Sequence, residues 1–137
     1  MGDRWSLLIV RDLMVRGLRS FKDFQESGER IASNILADRL EKLRAAGVIV
    51  AEPGDGDRRR INYRLTERGI DLAPALLELF LWGAKHQRSS ASPPMVKKME
   101  QDRAAFLAEV RRRWSNHDAT PLLPRFQKAN LKGGITT

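Results

Sequence analysis

The stretch "EPGDGDRRRINYRLTERG", residues 52–69, decides the fold. Its first part consists of turn formers: Pro53 fixes its own φ, Gly54 and Gly56 admit positive φ, and Asp55 and Asp57 bond their own backbone. The segment before it, "GVIVAE", and the segment that continues it, "INYRLT", are rich in β-branched and aromatic types that suit a pleated surface. The pattern predicts a β-hairpin with a long cationic tip bearing Arg58, Arg59 and Arg60.

Upstream, "RIASNILADRLEKLRAAGVIV" repeats Leu36, Leu40 and Leu43 at helical spacing, with Ser33 near the start and Gly47 where a left-handed C-cap is wanted. The spacing predicts a helix over 33–46. Its opposite face carries Asn34, Ala37, Asp38 and Glu41, all small or polar. Before it lies a short segment, "SFKDFQES", capped by Ser20, with Phe21 and Phe24 on one face. The chain opens with "DRWSLLIVRDLMVRG", where Trp5, Leu8, Ile9, Leu13 and Met14 mark a helix between a cap at Asp3 and a stop at Gly17.

Three short helices followed by a basic-tipped hairpin describe a winged helix-turn-helix. In that arrangement a helix reads base edges in the major groove while the neighbouring loop grips phosphate or the adjacent minor groove. Arginine suits the loop because its planar fork matches phosphate oxygens or a narrow electronegative groove. Asp55 and Asp57 cancel part of that charge and are better read as shaping the turn.

Charge agrees in sign and in place. The 137 residues carry a net charge of +8, of which residues 93–137 contribute nine basic and four acidic groups. The front part is therefore basic mainly at the hairpin, and a strongly basic balance points toward polyanions. With no cysteine there is no disulfide, thiol redox chemistry or thiolate metal site in this stretch. No apolar run reaches the length of a membrane span, so the expectation is a cytoplasmic protein without membrane contact.

Beyond the hairpin, "TERGIDLAPALLELFLWGAKHQ" reads as helical, with Thr66 as cap and Pro74 forcing a kink or restart. Between Leu72 and Trp82 only Pro74 and Glu78 are not apolar. A helix packed on one small domain needs only a stripe, so Leu76, Leu77, Phe80, Leu81 and Trp82 are expected to form a homodimer interface. "RSSASPP" reads as a linker over 88–94, with Ser92 and Pro93 placed to start another helix. Residues 95–115 read as one amphipathic helix with Arg111, Arg112 and Arg113 at its negative end. Residues 116–137 show no sustained period and are expected to be an irregular tail, from which Leu122, Leu123 and Phe126 dock.

Taken in order, "GDRWSLLIVRDL", "RSFKDF", "IASNILADRLEKLRAAGVI", "YRLTERG" and "WGAKH" resemble the successive signatures of the HxlR-type winged helix-turn-helix transcriptional regulators, within the broader MarR-like group. The resemblance spans about residues 2–87, and five segments agree in order and spacing. It implies a bacterial or archaeal dimer that binds double-stranded operator DNA, with a recognition helix over 33–46 and a wing over 53–60. Carried over by position, Ser33, Asn34, Ala37 and Asp38 fall on the recognition face. Arg39 lies beside the leucine stripe, where a structural ion pair competes with a phosphate contact. Arg58, Arg59 and Arg60 fall on the wing, and Arg19 stands where a turn can reach phosphate. Such proteins begin with a further N-terminal helix, often preceded by a cysteine; here Met1 directly precedes the "GDRW" segment. Either the true start lies upstream or the dimer is built without that helix, and cysteine-based sensing has no support.

The expected fold is mainly α with a small antiparallel β-hairpin, a winged helix-turn-helix with C-terminal dimerisation helices. Residues 1–66 form the DNA-binding domain and 67–87 the dimerisation helix. Two recognition helices related by a two-fold would meet successive major grooves ~34–36 Å apart, so the operator should be near-palindromic. Catalysis is not expected: His86 and His117 are far apart in sequence, "GDGD" lacks a phosphate-loop lysine or a calcium ladder, and no "GxSxG" occurs. No cofactor or metal is expected, while an unidentified small-molecule effector has room between the long helices. The alternative is a winged-helix protein-interaction scaffold without operator binding.

Overall fold

The computed structural model describes residues 4–27, 31–54, 57–86 and 93–122, with the backbone alone for residues 57–59 and 93. The expected cap at Asp3, the side chains of Arg58 and Arg59, the linker residues 88–92, and Leu123 and Phe126 lie outside the described residues. The chain runs α1 (Arg4–Val15), α2 (Phe21–Gln25), α3 (Ser33–Ala45), β1 (Ile49–Gly54), β2 (Asp57–Leu65), α4 (Glu67–Ile70), α5 (Ala73–His86), α6 (Pro93–Gln101) and α7 (Arg103–Ser115).

Each early element follows from its local chemistry. α1 buries Ile9, Val10 and Val15, and beside them Asp12 and Arg16. Asp12 accepts from Arg11 Nε at 2.9 Å and pairs with Arg16 Nη1 at 3.5 Å, so the inner face of this helix carries an ion pair. Ser20 opens α2 with a complete capping box, its hydroxyl accepting from the Asp23 amide while the Asp23 carboxylate accepts from the Ser20 amide. α3 turns Leu36, Leu40 and Leu43 fully inward. It ends in a Schellman motif: Gly47 sits at φ +77°, Val48 N–H donates to Leu43 O and Gly47 N–H to Arg44 O, each at 3.0 Å.

β1 and β2 pair antiparallel from Ile49↔Leu65 to Pro53↔Ile61, with an irregularity between Pro53 and Gly54. On its other edge β2 meets the residues before α2, where Tyr63 N–H donates to Arg19 O at 2.7 Å and Ser20 bridges Asn62. Thr66 caps α4, accepting from Gly69 N–H at 3.2 Å. Gly69 is required by proximity: a Cβ there would stand 2.3 Å from the Val48 carbonyl oxygen. Pro74 does force a restart, for α4 lasts one turn and α5 begins at Ala73.

The C-terminal half departs from expectation in two places. Residues 95–115 are not one helix but α6 and α7, separated at Asp102 (φ −136°, ψ 68°). The Asp102 carboxylate accepts from Ala105 N–H at 3.1 Å, so this residue begins a helix rather than continuing one. The expected linker over 88–94 is also shorter at its end, because Pro93 and Pro94 already form the first turn of α6, where proline loses no hydrogen bond. The opening of the tail is docked, with Leu122 N–H donating to Val15 O at 2.7 Å and its side chain packed against the core. That core is continuous from α1 and α3 through Ile70, Leu77 and Leu81 to Met99 and Val110. Among the described residues no helix is long and apolar enough to cross a membrane.

Candidate nucleic-acid interface

With the leucines of α3 turned inward, Ser33, Asn34, Ala37 and Asp38 are all exposed. Ser33 is the first helical residue rather than the cap; Ala32 holds that position without a side-chain bond. The Ser33 hydroxyl instead accepts from Gln25 Nε2 at 2.9 Å, which ties the end of α2 to the start of α3. Asp38 accepts from Arg39 at 2.5 Å and from Lys42 at 3.2 Å. Hydrogen bonds from Lys42 first and Arg39 second hold its carboxyl below the usual carboxylate range. Arg44 likewise grips Glu41 at 2.6 Å. The outer face of α3 is therefore a lattice of paired charges with Asn34 among them, suited to polar readout more than to bulk attraction. Arg39, beside the leucine stripe, forms an ion pair with the exposed Asp38.

The hairpin is stitched to the C-terminal end of this helix. The Thr66 hydroxyl donates to Gly47 O at 2.5 Å and lies 3.1 Å from Val48 O, while Thr66 N–H donates to Val48 O at 3.0 Å. Arg68 Nη1 donates to Ala46 O at 3.0 Å, placing a cation at the negative end of α3. These bonds join the base of the wing to the helix through a turn of three residues, 46–48. At the outer part of β2, Arg60 and Ile61 are exposed.

Arg19 sits just before α2, with its guanidinium donating to His117 O at 2.8 Å. No local pattern points to that partner, 98 residues away. Gln25 and Lys42 were also passed over, although Lys42 lies one helical turn from Asp38 and that spacing is a legible signal.

On α5 the apolar coat divides into two faces. Leu77 and Leu81 are buried within the chain, and Leu76 and Phe80 are half-buried against the same core. Leu79 and Trp82 are 54% and 55% exposed. Trp82 stacks at a tilt on His86, with ring centroids 5.3 Å apart, and Glu78 on the same side pairs with Arg103 at 2.6 Å. Among the described residues no group of three or more His, Cys, Asp or Glu could hold a metal ion.

The sequence profile of HxlR-like helix-turn-helix proteins matches residues 1–91. An uncharacterized HTH-type transcriptional regulator of Mycobacterium tuberculosis, Rv3095, is 35% identical over 95 residues, 69% of this chain and 59% of that protein. The chain thus covers less than two thirds of that relative's length. Among solved structures, the candidate transcription factor PA1607 is 42% identical with a TM-score of 0.59, over 66% of this chain and 62% of that one. The redox regulator HypR in its oxidized form is 26% identical with a TM-score of 0.57, over 64% of this chain and 90% of that one. The profile match ends before α6 begins.

Proposed function

Because the chain belongs to the HxlR-like helix-turn-helix family, we propose that it is a homodimeric transcriptional regulator that binds a near-palindromic operator through α3 and the wing. One observation supports this reading above the others: a polar, exposed α3 face whose C-terminal end is bonded directly to the base of a cationic hairpin. In the proposed complex Ser33, Asn34, Ala37 and Asp38 meet base edges. Arg58, Arg59 and Arg60 meet phosphate or the neighbouring minor groove. Lys42 and Arg44 flank the contact. A scaffold without DNA would have no use for three consecutive arginines at the wing. The family's relatives and the absence of cysteine within these 137 residues suit a cytoplasmic regulator whose signal is not a thiol. An unidentified effector between the long helices would have to widen the narrow apolar cleft lined by Met14, Leu76, Phe80, Met99 and Phe106.

Selection of bound duplexes from random-sequence DNA tests this directly. The parent protein is expected to enrich an inverted repeat with half-sites about one helical turn apart. With about four phosphate contacts per protomer, the log–log salt slope should be about −7. Asn34→Ala is expected to relax base preference at one position of each half-site, at a cost of about 1–3 kcal/mol per half-site against the preferred base, and to leave the salt slope unchanged. Enrichment of no sequence by the parent protein would defeat the operator reading and favour the scaffold.

For the dimer we propose the exposed side of α5, centred on Leu79 and Trp82, with Leu77 and Leu81 supporting it from within the subunit. Two exposed large apolar side chains one turn apart, at the middle of an otherwise apolar helix, suit a second copy. Trp82→Glu is expected to raise the dimer dissociation constant by about thirty-fold or more, read by sedimentation velocity over a concentration series. An unchanged dimer would move the interface elsewhere.

A further inference from the structure

The last turn of α7 and the seven residues after it are bonded to the DNA-binding domain at widely separated points of the chain. Trp114 Nε1–H donates to Leu65 O at 2.8 Å, at the inner end of wing strand β2. In return Arg64 Nη2 donates to Trp114 O at 2.9 Å while its guanidinium lies over the indole, 5.0 Å from the ring centroid. Arg111, itself paired with Asp71 at 2.6 Å, lies 5.7 Å from the same centroid. Arg19 holds His117 O at 2.8 Å, and Arg113 holds Thr120 O at 2.7 Å. The Trp114 carbonyl in the last turn of α7, which also accepts from His117 N–H at 3.2 Å, and the His117 carbonyl just beyond the helix thus receive cations from the wing and from the turn before α2.

These contacts fall on backbone that the wing needs. β2 is pinned on one edge by β1 and on part of the other by Arg19 and Ser20, and Trp114 fastens its last residue. Residues 103–122 lie wholly beyond the family match at 1–91. We propose that this C-terminal segment is an intramolecular clamp that sets the attitude of the wing toward α3, and that Trp114 is its positioning residue for DNA binding. The proposal rests on the operator reading above. Trp114 touches no DNA; it acts through Leu65 and Arg64. With the clamp in place the wing arginines are presented in one orientation. Without it they reach phosphate only in a fraction of hairpin orientations, and the ordering cost falls on binding.

The test uses the full chain and a duplex selected by the parent protein. Trp114→Ala should weaken binding about tenfold at ~0.1 M salt and make the log–log salt slope shallower by about 2, the loss of one phosphate contact per protomer. A loss of folded protein alone would lower affinity by one factor at every salt concentration and leave the slope unchanged. Trp114→Phe keeps the ring and removes the N–H, and Arg64→Lys removes the flat stack; each should shift the slope in the same sense by less. Both serve if the alanine variant does not fold. Amide exchange of Tyr63 and Leu65 should accelerate in the variants while that of Leu36 and Leu40 does not. A parental slope in all three variants overturns the proposal. If the parent binds no duplex the operator reading falls, and the exchange experiment then decides whether the clamp exists: unchanged exchange at β2 refutes it.

Discussion

Replacing Arg58, Arg59 and Arg60 together by alanine is expected to reduce affinity for duplex DNA about a thousand-fold or more at ~0.1 M salt. In a dimer the change removes six cations. If each neutralises a phosphate, eight contacts fall to two, and the log–log salt slope should flatten from about −7 to about −2. The loss should be shared by every sequence, because phosphate contacts carry register and affinity but no base information. Fold is not expected to suffer, since the hairpin is anchored at its base by Thr66 and Arg68. Fluorescence anisotropy on one duplex over a salt series measures both quantities. A slope that stays near the parental value in the triple variant would show that the wing does not touch the backbone.

The second large effect concerns stability. Asp12 is 2% exposed and pairs with Arg16, itself 6% exposed, on the inward side of α1. Asp12→Ala removes the buried carboxylate that pairs with Arg11 and Arg16 and should destabilise the fold by about 3–5 kcal/mol. For a domain whose whole stability is about 5–15 kcal/mol, that brings unfolding within reach of ordinary temperatures. Urea titration of the parent and the variant gives the difference directly. Replacing both partners with apolar residues of similar volume, Asp12→Leu with Arg16→Met, should recover much of the loss, because a buried ion pair can give way to apolar packing of the same shape at little cost. A single variant as stable as the parent would mean that water or another partner reaches Arg16 at no cost.

Much of the front half was legible because its signals are local. The leucines of α3, the glycine that ends it, and the serine and threonine caps all act within a few residues, and the structure meets each. Asp12 shows the limit of the same method. Apolar periodicity counts only apolar residues, so a charged pair at i and i+4 reads as surface even when it faces inward. α5 shows another limit: from Leu72 to Trp82 so few residues are polar that nothing fixes the phase, and Leu77 could not be told from Leu79. The break at Asp102 was hidden because aspartate within an amphipathic pattern passes for an exposed helical residue until its capping bond is seen. The bond from Trp114 to Leu65 is invisible to any pattern, since its partner lies 49 residues earlier and no periodicity spans that distance.

The bonds between Thr66, Arg68 and the turn after α3 have a consequence for how such a chain can change over generations. All of them lie at the root of the hairpin, whereas Gly54 pairs with Asp57 at the opposite end of the two strands. Doubling a loop of that kind costs only about 0.6 kcal/mol in closure entropy. Insertions and deletions at the tip can therefore lengthen, shorten or recharge it while α3 stays where it is, so that in the proposed complex grip on the backbone and choice of bases are free to diverge on separate schedules.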